Sequence, residues 1–428
     1  MSDAPESVQM TKQPSAARII TAACVGNALE WYDIAVYSYF AVYVAKVFFP
    51  SGDPTSALLL ALGTFAVSFL IRPLGAVVLG SYADRAGRKP ALALSILLMV
   101  LGTLLIVVMP SYETVGLIAP LGILVARLIQ GFSAGGEFGS ATALMVEHLP
   151  GRRGYAASWQ FASQAAATLL AATLGTVLTS ALTEEQLLSW GFRIPFAIGL
   201  LVGPVGWYIR RHVPEAPEFA RSRATDPGHS PGRVVLREQK GRVLLTIGVL
   251  AATTCLNYLI SYMPTFAINN LGLPASTGFA GVLIGGVVLL IATPLAGHLS
   301  DRFGQITLMV PAAVLILVLI YPLFVLLVAF PGLGVLLGML VLLCLFKSFY
   351  YGPMGALMAN LFPAETRATG MAVGYNIGVA VFGGFTPFIA TWLIATTGSD
   401  LAPSFWVMTT AVLSLVALVT IRRRTALR

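Results

Sequence analysis

The chain repeats one pattern: apolar runs of roughly 20 or more residues, the length that crosses a hydrocarbon core as helix, separated by short polar breaks. The runs lie near 18–48, 56–82, 90–110, 115–147, 155–181, 192–211, 243–270, 276–298, 306–329, 332–361, 368–396 and 402–421. This pattern predicts twelve membrane-spanning helices in two sets of six. The longest runs must tilt or protrude from the bilayer.

The two sets echo each other. Gly80-Ser-Tyr-Ala-Asp84-Arg85-Ala-Gly87-Arg88-Lys89 fills the break after the second run, and Gly297-His298-Leu-Ser-Asp301-Arg302-Phe-Gly304-Gln305 fills the matching break 217 residues later. A second echo pairs Ala143-Leu-Met145 and Pro150-Gly-Arg152-Arg153 with Ala356-Leu-Met358 and Pro363-Ala-Glu365-Thr-Arg367. A duplication of this size in an apolar chain points to a two-half transporter.

Composition agrees with lipid as the solvent. Of 428 residues, 57% are hydrophobic and 10% charged, too little polar surface to cover a water-soluble globule. The net charge of +8 is distributed by topology, since 21 of the 26 Lys and Arg fall in the termini and the even-numbered breaks. The odd-numbered breaks hold Asp53, Glu113, Glu184, Glu185 and Asp400 instead. The positive-inside rule then places both termini in the cytoplasm, and the basic balance gives no support for nucleic-acid binding. Cys24, Cys255 and Cys344 lie within runs and read as small packed side chains. The first 17 residues lack the apolar core of a signal peptide. The expected organisation is a tail over 1–17, a six-helix bundle over 18–211, a cytoplasmic linker over 212–242 with at most a short surface helix, a second bundle over 243–421 and a tail over 422–428.

In the first polar turn, Gly80 permits close helix approach, Gly87 a tight turn, and Asp84 can accept hydrogen bonds from Arg88 or a neighbouring helix N-terminus. This turn resembles the signature loop of the major facilitator superfamily. Further segments resemble its metabolite:proton symporter family: Gly26-Asn27-Ala-Leu-Glu30-Trp31-Tyr32-Asp33, Phe69-Leu-Ile-Arg72-Pro73-Leu-Gly75, Arg127-Leu-Ile-Gln130-Gly131-Phe-Ser-Ala-Gly135-Gly136-Glu137 and Trp190-Gly-Phe-Arg193-Ile-Pro195-Phe. Ala380-Val-Phe-Gly383-Gly384-Phe-Thr-Pro387 looks most like the citrate branch. The resemblance implies an all-α membrane protein with the major facilitator fold, a cavity between two pseudo-symmetric bundles, and gates at the signature turns. Gating residues are then Asp84, Arg85, Gly87, Arg88, Glu147, Asp301, Arg302, Glu365 and Arg367. Gln305 replaces an expected base, which assigns the tighter gate to the first half.

Charges inside the runs can be read without the family, because an ionised side chain at bilayer depth costs several kcal/mol unless paired or hydrated. Lys46 and Arg193 sit near helix ends and can snorkel as anchors. Glu30 and Asp33 are three apart on one helix face, roughly 18 to 22 Å from its start by the helical rise. Two adjacent carboxylates there disfavour double ionisation, so one is a candidate proton carrier unless a base such as Arg72 or Arg127 compensates. Arg127 has the fork that grips a carboxylate, either a substrate's or that of Asp33. Glu137 suits a relay or gate.

Lys347 has no acid before Glu365 in its own helix, so a mobile anion is its natural partner. Asn257, Tyr258, Tyr351, Tyr32, Gln160, Gln164 and Asn376 are further polar candidates for substrate binding. The expected function is proton-coupled symport of a small organic anion, most consistent with a di- or tricarboxylate such as citrate, by a chain working as a monomer in the bacterial inner membrane. The alternatives are a proline or betaine symporter using an aromatic box, and a uniporter. No metal-ligand spacing, P-loop or nucleophile elbow occurs, so neither an enzyme nor a cofactor nor a metal is expected.

Overall fold

The computed structural model describes residues 16–49, 52–86, 88–135, 137–149, 151–200 and 231–424, and all regular structure among them is helical. Lipid offers the backbone no hydrogen-bond partners, so each apolar run satisfies its own N–H and C=O groups by coiling. In the first half these are α1 Ala16–Tyr39, α2 Ala41–Phe48, α3 Pro54–Leu70, α4 Arg72–Ala86, α5 Arg88–Val108, α6 Ile118–Ser133, α7 Glu137–His148 and α8 Arg153–Ala181, followed by α9 over 193–200. The second half comprises α11 Lys240–Asn269, α12 Ala275–Phe303, α13 Gln305–Ala329, α14 Leu333–Leu361, α15 Arg367–Val379, α16 Thr386–Thr397 and α17 Ala402–Arg424. A short helix, α10 Pro231–Glu238, precedes it; residues 201–230 of the expected sixth run and linker lie outside the described residues.

Four expected runs fold as interrupted helices. Pro73 has no N–H for the Phe69 carbonyl, which takes the Ile71 N–H instead, and the ladder opens between α3 and α4. Pro387 likewise cannot serve Gly383, whose carbonyl takes the Phe385 N–H, and a π turn over Ala380–Gly384 divides α15 from α16. The first run breaks at Phe40, between α1 and α2, and the fourth breaks after Ser133, where Ala134 and Gly135 separate α6 from α7. Periodicity does not register such breaks, because apolar residues continue across them.

Glycine lets helices approach closely. A Cβ on Gly131 of α6 would overlap the Ser68 carbonyl of α3, and one on Gly297 of α12 would meet Ser158 of α8. The second contact belongs to the broad packing of α8 on α12, the main seam between the halves. Outward-facing Leu, Val and Phe on α13 and α17 stay exposed, as expected of surface turned toward lipid.

The halves meet at both ends. At the basic end, which carries Arg153, Arg302 and Arg367, both Asp301 carboxylate oxygens accept backbone N–H groups at the start of α8, from Gly154 at 2.6 Å and Tyr155 at 3.0 Å. There too Arg367 Nη1 reaches Glu147 Oε1 at 2.7 Å, and Arg153 Nη1 reaches Asn360 Oδ1 at 2.9 Å. At the acidic end, which carries Asp53, Glu184 and Asp400, Tyr39 and Phe40 of the first half pack on Phe279, with ring centroids 6.1 and 5.3 Å apart. Asp53 caps α3 there; hydrogen bonds from the Ser56 hydroxyl and from the Ser56 and Thr55 N–H groups hold its carboxyl below the usual range.

Candidate functional site

The mid-depth charges of the first half form one connected network. Glu30 on α1 pairs with Arg72 on α4 at 2.5 Å, and the Arg72 guanidinium lies 4.8 Å from the Phe69 ring centroid. Asp33, one turn along α1, accepts the Thr103 hydroxyl of α5 at 2.9 Å through Oδ2, while its Oδ1 has no hydrogen-bond partner. Gln130 of α6 donates to the same Thr103 hydroxyl at 2.8 Å and accepts from Arg127 at 2.6 Å. Arg127 also donates to Ser68 at 3.2 Å and lies over the rings of Tyr37 and Phe65, 4.4 and 5.2 Å from their centroids. Glu30, Asp33, Ser68, Arg72, Arg127 and Gln130 line a cavity of about 10 Å³, room for one water molecule.

The expected carboxylate pair is therefore split between partners. Glu30 is held by a base, whereas Asp33 is held by a neutral hydroxyl and connects to Arg127 through Thr103 and Gln130. Gln130, three residues after Arg127 on the same face, was visible as a neighbour in the sequence. Thr103 and Ser68 were not, since a lone hydroxyl in an apolar run ordinarily bonds its own helix carbonyl.

The second half presents a sparser arrangement. Lys347 on α14 is 1% exposed and donates to Asn257 Oδ1 of α11 at 2.5 Å, with its ammonium 4.7 Å from the Tyr351 ring centroid. Among the ion pairs of the described residues, none involves Lys347 or Arg127. Tyr258 of α11 meets three rings of the first half, Trp31, Phe65 and Phe69, at 6.0, 5.9 and 5.4 Å between centroids. Tyr351 packs on Phe161 of α8 at 4.2 Å. Gln164, one turn beyond Phe161, is buried with neither side-chain amide atom hydrogen-bonded.

Three candidates are committed elsewhere. The Tyr32 hydroxyl donates to the Pro195 carbonyl inside the first half, at 2.8 Å. The Gln160 amide donates to Asn27 at 2.9 Å, and Asn27 returns bonds to the Gln160 carbonyl and the Ser163 hydroxyl, tying α1 to α8. Asn376 donates across the halves to the Gly135 carbonyl at 2.7 Å, in the break between α6 and α7, one residue from a Tyr375–Phe138 stack. Among the gate candidates, Asp301, Glu147 and Arg367 bridge the halves as described; Arg302 lies 5.4 Å from the Phe303 ring centroid, and Glu365 is exposed. The side chains of Asp84, Arg85, Arg88 and Glu137, and the whole of Gly87, lie outside the described residues.

The anchors sit where their reach allows. Arg193 donates to the Val107 and Met109 carbonyls at the end of α5, both at 2.7 Å, and Lys46 pairs with Glu184 at 2.6 Å on the exposed acidic end. That contact holds the Glu184 carboxyl below its usual range.

The family model described as Major Facilitator Superfamily matches residues 23–326. The chain belongs to the major facilitator superfamily. Among curated members of this superfamily, it is 37% identical over 426 residues to a citrate-proton symporter of Klebsiella pneumoniae, covering 98% of this chain and 95% of that protein. It is 35% identical to a proline/betaine transporter of Escherichia coli K12, covering 95% and 83%. It is 34% identical to an alpha-ketoglutarate permease of the same strain, covering 91% and 90%. A partially occluded, inward-open structure of the xylose transporter XylE from E. coli superposes with a TM-score of 0.75 over 95% of this chain and 97% of that one, at 17% identity. That structural likeness carries the fold alone, twelve helices in two bundles. This facilitator is thus a multi-pass membrane transporter.

Proposed function

We propose that this facilitator is a proton-coupled symporter that brings a small organic anion, a di- or tricarboxylate such as citrate, across the bacterial cytoplasmic membrane by alternating access. The observation that carries the reading is Lys347: a buried ammonium held by one neutral amide and one aromatic face, at the seam of the halves. Removing such a charge from water costs several kcal/mol, which an arriving carboxylate offsets. Arg127, in the first half, likewise has neutral hydrogen-bond partners, Gln130 and Ser68, and is the second base offered to the anion.

Asp33 is the preferred proton site. Asp33 lines the small cavity, its Oδ1 accepts no hydrogen bond, and its route to Arg127 runs through Thr103 and Gln130. Protonation of Asp33 releases Arg127 toward the substrate, so proton and anion load together. Glu30, already neutralised by Arg72, serves to hold α1 against α4 and to accept the proton in passing. The bundles of 18–211 and 243–421, joined by the 212–242 linker, then rock about the site, with Asp301, Glu147 and Arg367 closing the basic end. The basic end is assigned to the cytoplasm, with both termini there, and the working unit to the monomer.

The osmolyte reading rests on the aromatic surround of Tyr258 and on the proline/betaine relatives. Against it, the Tyr351 face is already occupied by the protein's own ammonium. Proteoliposomes with an imposed inward proton gradient decide. Protonophore-sensitive accumulation of citrate that is lost in Lys347→Ala supports the proposal. Betaine accumulation without carboxylate uptake refutes it, and gradient-independent equilibration leaves a uniporter.

A further inference from the structure

Where the halves meet, several buried polar atoms of the described residues stand without hydrogen bonds: both amide atoms of Gln164, and the hydroxyls of Tyr258 and Tyr375. All three side chains are at most 5% exposed. An isolated orphan in an apolar interior is costly, and a cluster of them in one place marks a spot built for a missing partner. The cluster is contiguous. Gln164 and Phe161 project from one face of α8, Phe161 touches Tyr351 and Phe138, and Phe138 stacks on Tyr375 at 3.5 Å between centroids. Tyr351, in turn, lies under the Lys347 ammonium and within electrostatic reach of Tyr258 and Tyr375. Gln164 lies close to the Tyr375 hydroxyl, but the atoms of the two do not meet in hydrogen-bond geometry.

We infer that Gln164, with Tyr375 and Tyr258, forms a neutral subsite beside Lys347 that reads a hydroxyl on the cargo, so that the preferred substrate class is the hydroxylated di- or tricarboxylates. The chemistry of the orphans selects the group. Gln164 lacks a partner for a donor and for an acceptor at once, and a hydroxyl both accepts from Nε2 and donates to Oε1. A keto oxygen satisfies the donor and leaves Oε1 orphaned. A methylene satisfies neither. A third carboxylate would desert Lys347 for a neutral amide. Because an unmet buried polar group is penalised in full, the subsite favours the hydroxylated acid over its hydrogen-for-hydroxyl analogue by roughly tenfold to a hundredfold.

This inference rests on the anion reading above, and one competition experiment separates the two. Purified protein in nanodiscs is titrated with citrate, with propane-1,2,3-tricarboxylate, which differs from citrate by the hydroxyl alone, and with 2-oxoglutarate as the keto acid. The expected result is citrate tighter than tricarballylate by the factor above, with the citrate-to-tricarballylate ratio falling toward one in Gln164→Met and in Tyr375→Phe, which keeps the Phe138 stack. Equal affinity of the unaltered protein for citrate and tricarballylate overturns the hydroxyl subsite and leaves the anion site standing. A preference that survives in both folded variants moves the hydroxyl reader away from Gln164 and ends the assignment. Binding of none of the three acids refutes the anion reading and this inference together.

Discussion

The two halves handle buried charge in opposite ways. In the first half Arg72 is matched by Glu30, and Arg127, Gln130, Thr103 and Asp33 form a chain of complementary donors and acceptors. In the second, Lys347 stands on Asn257 and the Tyr351 ring, with no carboxylate among its described partners. A bundle that neutralises its own charges can open and close without a ligand. A bundle with an uncompensated base gains stability when an anion arrives, and that difference is what lets cargo bias a conformational equilibrium. The duplicated sequence thus yields unequal halves, and in the proposed cycle Asp33 of the first carries the proton while Lys347 of the second, with Arg127, takes the anion.

Substituting Lys347 attacks the contrast most directly. Lys347→Met is expected to lower citrate affinity by about a hundredfold or more, while thermal unfolding in detergent stays level or rises, since a buried charge without an ionic partner has been removed. A large fall in both would place Lys347 in the framework instead. Glu30→Gln makes the first half resemble the second by stranding Arg72; about 3 kcal/mol of stability should be lost, and Glu30→Gln with Arg72→Met should recover most of it. Equal loss in single and double variants would dissolve the pairing.

Asp33→Asn is next. Substrate binding should persist, whereas the roughly tenfold accumulation that a one-unit pH gradient supports for one net proton should fall to simple equilibration. Retained concentrative uptake removes Asp33 from the coupling step. At the basic end, Arg367→Gln breaks the link to Glu147, whose partners are 13% and 29% exposed; a shift of about 1 kcal/mol toward the state open at that end is expected, read by cysteine accessibility at a site near Gly154. Smallest is Lys46→Gln. Its partner Glu184 has a carboxyl held low by that contact, so the pair's contribution is present above the ordinary carboxylate range and fades as pH falls through the lowered value. With 51% and 68% of the two side chains exposed, it should stay below about 0.5 kcal/mol.

Much of this was legible from residue order. Apolar run length located the helices because helix length is set by bilayer thickness, and the paired turns at Asp84 and Asp301 exposed the duplication. Lys347 and Arg127 stood out because a base inside an apolar run always requires an explanation. Partner choice was hidden. Glu30 and Asp33 lie on one helix face, yet one meets Arg72 and the other Thr103, residues 42 and 70 positions away. Gln160 and Gln164 look alike in sequence as polar residues one turn apart on α8; Asn27 of another helix accepts from Nε2 of the first, and no described neighbour bonds either amide atom of the second.

The sequence by itself determined the solvent, the spans, the twofold repeat and the family, because each depends on local composition or on motifs read along the chain. Tertiary structure decided which buried charges are neutralised, where helices break within apolar runs and which polar atoms face one another across the halves. Those outcomes depend on hydrogen bonds a few ångströms long between segments far apart in the chain, and nothing in a helix's own periodicity encodes which neighbour will be within reach.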